Sequence, residues 1–241
     1  MKTTYIQKLG LVLKNYTDGL GHLVFTNSCL HCNKELVLQE RYLCWVCWEG
    51  LERTFYDAQK EPTILDQLFW NRVEVHHVCA LYFYGKGKVS QSLIRALKYD
   101  FKAPLGIYLG EHMAKQLQTH PISAVDAIVA VPIHPKKKFA RGYNQSELLA
   151  QGISNVWGAP ILKSIAHKRK HTASQTTRDR FGRWENVQNL FVGAARIVNY
   201  RHVLIVDDVI TTGATLESLT KAIKAVDPTI QISLLSLAFT K

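Results

Sequence analysis

The stretch Val203-Leu-Ile-Val-Asp-Asp-Val-Ile-Thr-Thr-Gly-Ala-Thr215 concentrates the chemistry of this 241-residue chain. Four apolar residues run to the end of a strand, two adjacent carboxylates follow, and a Thr/Gly-rich turn opens a helix. Such a turn offers backbone N–H groups and the hydroxyls of Thr211, Thr212 and Thr215 to a phosphate at a helix N-terminus. Gly213 and Ala214 complete it. Asp207 and Asp208 stand too near for a second phosphate, but paired carboxylates suit vicinal hydroxyls. Phosphate and diol together describe a ribose 5-phosphate. A strand ending in acids also fits a Walker B site, yet that needs a GxxxxGK[ST] loop, which this sequence lacks.

Four of the five cysteines form two pairs, Cys29-Leu-His-Cys32 and Cys44-Trp-Val-Cys47, with eleven residues between them. Each pair can turn two thiolates toward one ion, and Zn²⁺ favours four such ligands in a tetrahedron. The competing reading is a redox pair or merely buried thiols. With four thiolates the coordination shell is full, so the expected metal is structural, and its binding supplies folding free energy to a ribbon too small for its own core. His31 then lies outside the shell. Arg41, Tyr42, Trp45 and Trp48 either brace the ribbon or stack on nucleobases. Cys79 reads as an ordinary core residue.

Charge is concentrated rather than spread. The net charge is +11, and between residues 134 and 183 eleven Lys or Arg face only Glu147 and Asp179. Nine of the eleven net charges therefore sit within fifty residues. A field of that kind attracts a diphosphate, a nucleic acid or an acidic membrane surface, unless it is only a solubilising face. Apolar residues make up 47% of the chain, which excludes intrinsic disorder. The apolar runs fall short of the roughly 20 residues that span a bilayer. Ile6, Leu9, Leu13, Tyr16 and Leu20 are spaced as one face of an amphipathic helix, and Lys8 and Lys14 break the unbroken apolar centre a signal peptide requires. A cytoplasmic protein with reduced cysteines is expected.

Strand and helix patterns alternate from about residue 75. Strands are predicted at Val78–Tyr84, Ala127–Val131, Pro160–Ile165, Val203–Val206 and Ile230–Phe239. Helices are predicted at Val89–Tyr99, Leu105–Leu117, Gln145–Val156 and Ala214–Ala225, with Gln175–Val187 a basic helix or a loop. That order indicates an α/β domain with a mainly parallel sheet flanked by helices, whose ligands sit beyond the carboxyl ends of the strands. The domains are expected at 1–60, the N-terminal helix and ribbon, and 75–241.

The segment Val203–Thr215 resembles the phosphoribosyl diphosphate (PRPP) fingerprint of type I phosphoribosyltransferases. The resemblance implies that Asp207 and Asp208 hold the ribose hydroxyls and that Thr211, Thr212, Gly213, Ala214 and Thr215 hold the 5-phosphate. The usual second glycine is Ala214 here. The stretch Val131-Pro-Ile-His-Pro-Lys-Lys-Lys-Phe-Ala-Arg-Gly-Tyr-Asn-Gln145, the basic run Lys168-Arg-Lys-His-Thr172 with Gln175, Arg183-Trp-Glu-Asn186 and Phe191, and the four-cysteine ribbon together look like the ComF family. They cover nearly all the chain; only the N-terminal helix and Thr54–Glu74 carry no family signal.

By that resemblance the fold is a type I phosphoribosyltransferase-like domain with a small N-terminal zinc ribbon. Lys136, Lys137, Lys138 and Arg141 would face a diphosphate or a nucleic acid, with Mg²⁺ bridging PRPP oxygens. Lys168, Arg169, Lys170 and Arg183 would add charge from a lid. His134 reads as structural or phosphate-contacting, His167 and His171 as solvated, and Tyr143 and Asn144 as substrate-orienting or as cap and packing. No residue stands out as a general base. The implied role is natural competence, handling incoming single-stranded DNA, with helicase or channel proteins of the uptake machinery as further partners and the inner face of the cell membrane as a peripheral location. The alternatives are an active phosphoribosyltransferase on an unidentified nucleobase or nucleotide, and a non-catalytic PRPP-sensing DNA-binding module.

Overall fold

The structure is a computed structural model, and it describes residues 28–59, 61–100, 102–162, 166–168, 191–193, 197 and 199–241. The amphipathic helix predicted near the N-terminus and the basic segment 175–187 lie outside the described residues. The chain divides into two compact units, Met1–Gly50 and Leu51–Lys241.

In the first unit, Ser28 and Glu35 form an antiparallel bridge. The turn between them closes through Cys29 N–H on the Lys34 carbonyl at 2.8 Å and Asn33 N–H on the Cys29 carbonyl at 3.0 Å. Asn33 takes the left-handed conformation there, with φ 59°, which asparagine tolerates. Tyr42 also has positive φ, 64°, and its carbonyl accepts from Leu30 N–H at 2.8 Å, joining the second turn to the first. Helix α1 (Trp45–Glu49) starts directly after Cys44.

The second unit contains α2 (Ile64–Gln67), β1 (His77–Phe83), α3 (Val89–Tyr99), α4 (Ala103–Gln116) and a 3-10 turn (Pro121–Ser123). These are followed by β2 (Ala127–Ala130), α5 (Pro135–Arg141), α6 (Gln145–Trp157), β3 (Ala166–Lys168) and β4 (Phe191–Gly193). The chain closes with β5 (His202–Ile210), α7 (Ala214–Lys224) and β6 (Gln231–Phe239). The main sheet has the order β1-β6-β5-β2 and every pair in it is parallel. Strands β3 and β4 pair antiparallel by themselves. The α/β architecture expected from the alternating pattern is the one observed.

Alternation along the strands serves two apolar layers. Val203, Ile205, Val129 and Leu234 join Leu216, Leu219 and Ile223 of α7 in one core. Their fully buried neighbours Leu204, Ile128 and Leu235 point the other way, toward the side on which α6 packs against β2 and β5. Each edge strand carries one short bridge to a neighbouring segment, which shortens the edge left open to unwanted pairing. Arg53 bridges Tyr82 along β1, and Ile161 bridges Ile128 in parallel along β2. The strand predicted at Pro160–Ile165 is thus represented by that bridge, and residues 163–165 lie outside the described residues.

Two predicted boundaries differ in ways that matter. The strand expected at Val203–Val206 continues to Ile210, because β6 supplies a parallel partner along its whole length. The basic stretch after β2, expected as a loop, contains α5. There His134 caps with its Nδ1 accepting from Lys136 N–H at 3.2 Å, Pro135 occupies the first turn, and Gly142 ends the helix with φ 76°.

Helices α4 and α6 approach closely enough to exclude any side chain between them. A Cβ on Gly152 would lie 2.1 Å from the Ile107 carbonyl oxygen, and one on Gly110 would lie 2.1 Å from that of Leu149. Backbone atoms cannot turn aside as a rotamer can. Gly152→Ala is therefore expected to lower the unfolding free energy by about 1–3 kcal/mol, read from urea midpoints. An unchanged midpoint would mean that the helices separate without cost.

Imidazoles gather at the amino-terminal ends of the strands. The His76 ring lies 4.3 Å from that of His77 and 5.2 Å from that of His202, and His77 lies 5.5 Å from His120. Burial, then the neighbouring imidazoles, pushes His77 down to about 4, with Asp66 opposing weakly. Burial also lowers His120 and His202. Between about pH 6.5 and pH 4 these imidazoles bind more protons in the unfolded chain than in the folded one, so the stability they contribute is complete above that window and is lost as the pH drops through it. Asp207, whose carboxyl is raised, acts in the opposite sense over the same range, so the test compares wild type with His77→Gln, in which the acid-side loss should be smaller. Urea midpoints with the same pH dependence in both proteins would contradict this assignment.

Candidate ribose-phosphate site and four-cysteine cluster

Strand β5 outruns β2. The β2–β5 ladder ends near Val131, whose N–H donates to the Val206 carbonyl at 3.0 Å, while β5 continues beside β6 as far as Ile210. Asp207 and Asp208 therefore lie within the strand, beyond the point where β2 has turned away at Pro132. The position beside the carboxyl ends of parallel strands is where such sheets take ligands.

The two carboxylates have different surroundings. Asp207 accepts from the Ser146 hydroxyl at 3.0 Å and from the Asp208 N–H at 2.9 Å. Burial, then the charge of Asp208, pushes Asp207 up to about 7. Asp208 is buried and pairs with Lys98, Nζ to Oδ2 2.6 Å. Lys98 ends α3, where a cation is also favourable to the helix dipole. Ser146 is placed by the cap of α6: Asn144 accepts from Ser146 N–H at 3.1 Å and donates to the Val131 carbonyl at 3.0 Å. Asn144 is thus occupied as a cap, and the Tyr143 hydroxyl donates to the Leu97 carbonyl at 3.0 Å.

The turn that follows β5 leads directly into α7. Thr211 and Thr212 are exposed, and Gly213 caps α7 with φ 70°. Gly213 has no side chain with which to cap this helix, and the Ala214 N–H donates to the Thr212 hydroxyl at 3.5 Å, a bond long enough to yield to an incoming anion. The one acid in that turn, Glu217, is clasped by Arg72 through Nε at 2.9 Å and by Lys221 at 2.7 Å. Against the cost of burial, those bonds hold its carboxyl below the usual range. Arg72 also donates to the Thr212 and Leu68 carbonyls, each at 2.9 Å. A Cβ on Gly213 would lie 2.9 Å from the Phe69 ring, so both φ and space require glycine.

The structure therefore brings together Asp207, Asp208, the Thr211–Thr215 turn, Lys98 and Ser146. Lys136 and Lys137 are exposed on α5, while Lys138 pairs with Glu147 at 3.0 Å. Arg141 lies over the Tyr99 ring at 5.5 Å and donates to Gln145 at 3.0 Å. Lys168, with His167, is on β3; Arg169, Lys170, His171 and Arg183 lie outside the described residues. Lys98, Ser146, Phe69 and Arg72 were not evident in the sequence. Lys98 reads there as an ordinary helix-end cation, and Phe69 and Arg72 fall in the Thr54–Glu74 segment without a motif. The one local cue in that segment is the capping box of Thr63 and Asp66 that starts α2.

The cysteines fit a tetrahedral metal. The sulfurs of Cys29, Cys32, Cys44 and Cys47 all lie within 4.8 Å of one another, and Cys32 Sγ is 3.6 Å from Cys44 Sγ. Four thiolates at 2.3 Å from zinc stand about 3.8 Å apart. Cys29, Cys44 and Cys47 are buried, and none of the five cysteines is in a disulfide. Cys79 is a fully buried core residue of β1. Four such thiolates could bind a metal such as zinc.

The comparisons with known proteins agree with this architecture. A phosphoribosyl transferase domain matches residues 144–239, which run from the cap of α6 through the acidic strand and the anion turn to the end of β6. The fold and the match define a domain of the phosphoribosyl transferase class. Over 222 residues the chain is 28% identical to competence protein F of Haemophilus influenzae, covering 83% of this chain and 92% of that protein. It is 30% identical over 128 residues to the DNA utilization protein YhgH of Escherichia coli K12, covering 52% of this chain and 56% of that protein. The chain is a homologue of competence protein F, consistent with the ComF family. Among the described residues no helix is long and apolar enough to cross a membrane.

The purified chain is expected to hold one equivalent of zinc, released by a thiol-modifying reagent and counted with a chromogenic chelator. Cys44→Ser should lose it. A zinc-free protein with an unaltered melting temperature would remove the metal from the ribbon.

Proposed function

We propose that this protein binds a ribose 5-phosphate such as PRPP beside β5 and handles single-stranded DNA in natural competence. The single observation that carries the reading is the glycine-started first turn of α7 placed directly after the strand that holds Asp207 and Asp208. The N–H groups and threonine hydroxyls of the turn would take the 5-phosphate, and the carboxylates would accept from the ribose hydroxyls. Glu217 does not oppose an incoming anion, because Arg72 and Lys221 already neutralise it.

Lys136, Lys137, Lys138 and Arg141 would meet the diphosphate or the DNA backbone. Mg²⁺, which prefers carboxylate and phosphate oxygens, fits the donor set of Asp207 and Asp208 with the ligand's own oxygens, and would neutralise diphosphate charge. A structural zinc in the ribbon completes the reading. The names of the relatives, competence protein F and DNA utilization protein, support the DNA role. His134 serves as the cap of α5 through Nδ1. That supports a structural role for His134 rather than proton transfer.

Hydrogen bonds to charged groups contribute roughly 1.5–3 kcal/mol each. Asp207→Ala combined with Asp208→Ala should therefore reduce the affinity for PRPP–Mg²⁺ by about 100-fold or more, measured by calorimetry on folded protein. Undiminished affinity in the double variant would remove the ribose from this site. The same titration with a 5′-phosphorylated single-stranded oligonucleotide as competitor tells whether DNA and PRPP share it.

A further inference from the structure

Helix α5 buries none of its residues. A surface helix ordinarily covers one apolar face, yet among the described residues α5 is held from its ends and side, by the His134 cap, the Gly142 terminus, the Lys138–Glu147 pair and the contacts of Arg141 with Tyr99 and Gln145. Its single large apolar residue, Phe139, is 92% exposed. Among the described residues no packing accounts for an aromatic ring at that position.

The surroundings of the ring specify a ligand. Lys136 lies three residues before Phe139 on the same helical face, and Lys137 is exposed beside it. Neither forms an ion pair among the described residues. α5 contains four cations and no acid. Tyr99, 63% exposed, lies under the Arg141 guanidinium that ends the helix. Two exposed rings interleaved with unpaired cations match a partner that alternates flat apolar faces with negative charge. Single-stranded nucleic acid has that alternation; duplex DNA, with its bases already stacked, does not.

We propose that Phe139, supported by Tyr99 and Arg141, is a stacking platform for the bases of single-stranded nucleic acid whose phosphates lie against Lys136 and Lys137. The inference rests on the DNA-handling reading above and assigns it a surface. The platform adjoins the acidic strand end through the Tyr143–Leu97 bond and the Lys98–Asp208 pair, so a strand lying on it passes beside the candidate ribose-phosphate site.

The test uses the full chain and fluorescence anisotropy with two probes of equal length and charge, a labelled oligothymidylate and an oligomer of abasic sites. Wild type should bind the oligothymidylate more tightly than the abasic strand. Phe139→Ala should weaken oligothymidylate binding by at least about fivefold, leave abasic binding unchanged and preserve the salt dependence. Phe139→Trp should restore the discrimination. Lys137→Glu should weaken both probes alike and reduce the salt slope. Equal loss of both probes in Phe139→Ala, or no loss of either, would overturn the platform while leaving DNA binding in place. A wild-type chain that binds neither probe would overturn the DNA-handling reading and the platform with it. PRPP calorimetry is independent of both outcomes, because Phe139 lies outside the acidic pair and the phosphate turn.

Discussion

The hydrogen-bond ladder between β5 and β6 is the constraint on which the candidate site depends. β6 matches β5 residue for residue to Ile210, whereas β2 leaves after Val131. The four extra residues of β5 are extended because one neighbour still satisfies their backbone groups, and they are reachable because the other neighbour has gone. Into that gap the strand carries Asp207 and Asp208, with α6 and α3 bringing Ser146 and Lys98 to them. Had β2 run equally far, the same two acids would be covered by a strand.

Charge of both signs is managed within a short distance. Two adjacent carboxylates in a partly desolvated setting repel, and the effect is visible in Asp207, raised by burial and by its neighbour. Lys98 offsets the other member of the pair. A few residues on, the turn that opens α7 is kept free of uncompensated negative charge by Arg72 and Lys221 on Glu217. An acidic spot and a glycine-started helix turn thus stand side by side, the pairing on which the proposed sugar-phosphate reading rests. The histidine cluster is at the other ends of the strands, so acid-sensitive stability and the candidate chemistry occupy separate ends of one sheet.

The ribbon follows a different logic. Its described residues include Leu36 and Leu43 as the buried apolar side chains besides the cysteines, too few for an independent core. Two residues with positive φ, Asn33 and Tyr42, shape its turns, and a tyrosine in that region has no intrinsic preference to be there. Convergence of four sulfurs on a single point is the feature that makes such a turn structure worth holding.

Much of this was legible in the chain itself. The CxxC spacing, the strand–acid–acid–turn–helix order and the 3.6-residue spacing of α3 and α6 are local signals, set by bonds and contacts between residues near in sequence. The length of β5 was not local: whether a strand stops at Val206 or at Ile210 depends on a partner thirty residues away. The fold of Pro135–Arg141 into a helix was marked by Pro135 and Gly142 but obscured by the absence of any apolar face. Lys98, Phe69 and Arg72 carry no motif, because each acts on the strand end or the turn more than a hundred residues distant. Sequence alone determined the class of fold, the two cysteine pairs that converge and the order of acidic strand end, Thr/Gly turn and helix. Only the tertiary structure decided which side chains neutralise the acids and brace that turn, because long-range packing and burial, not spacing, set those contacts.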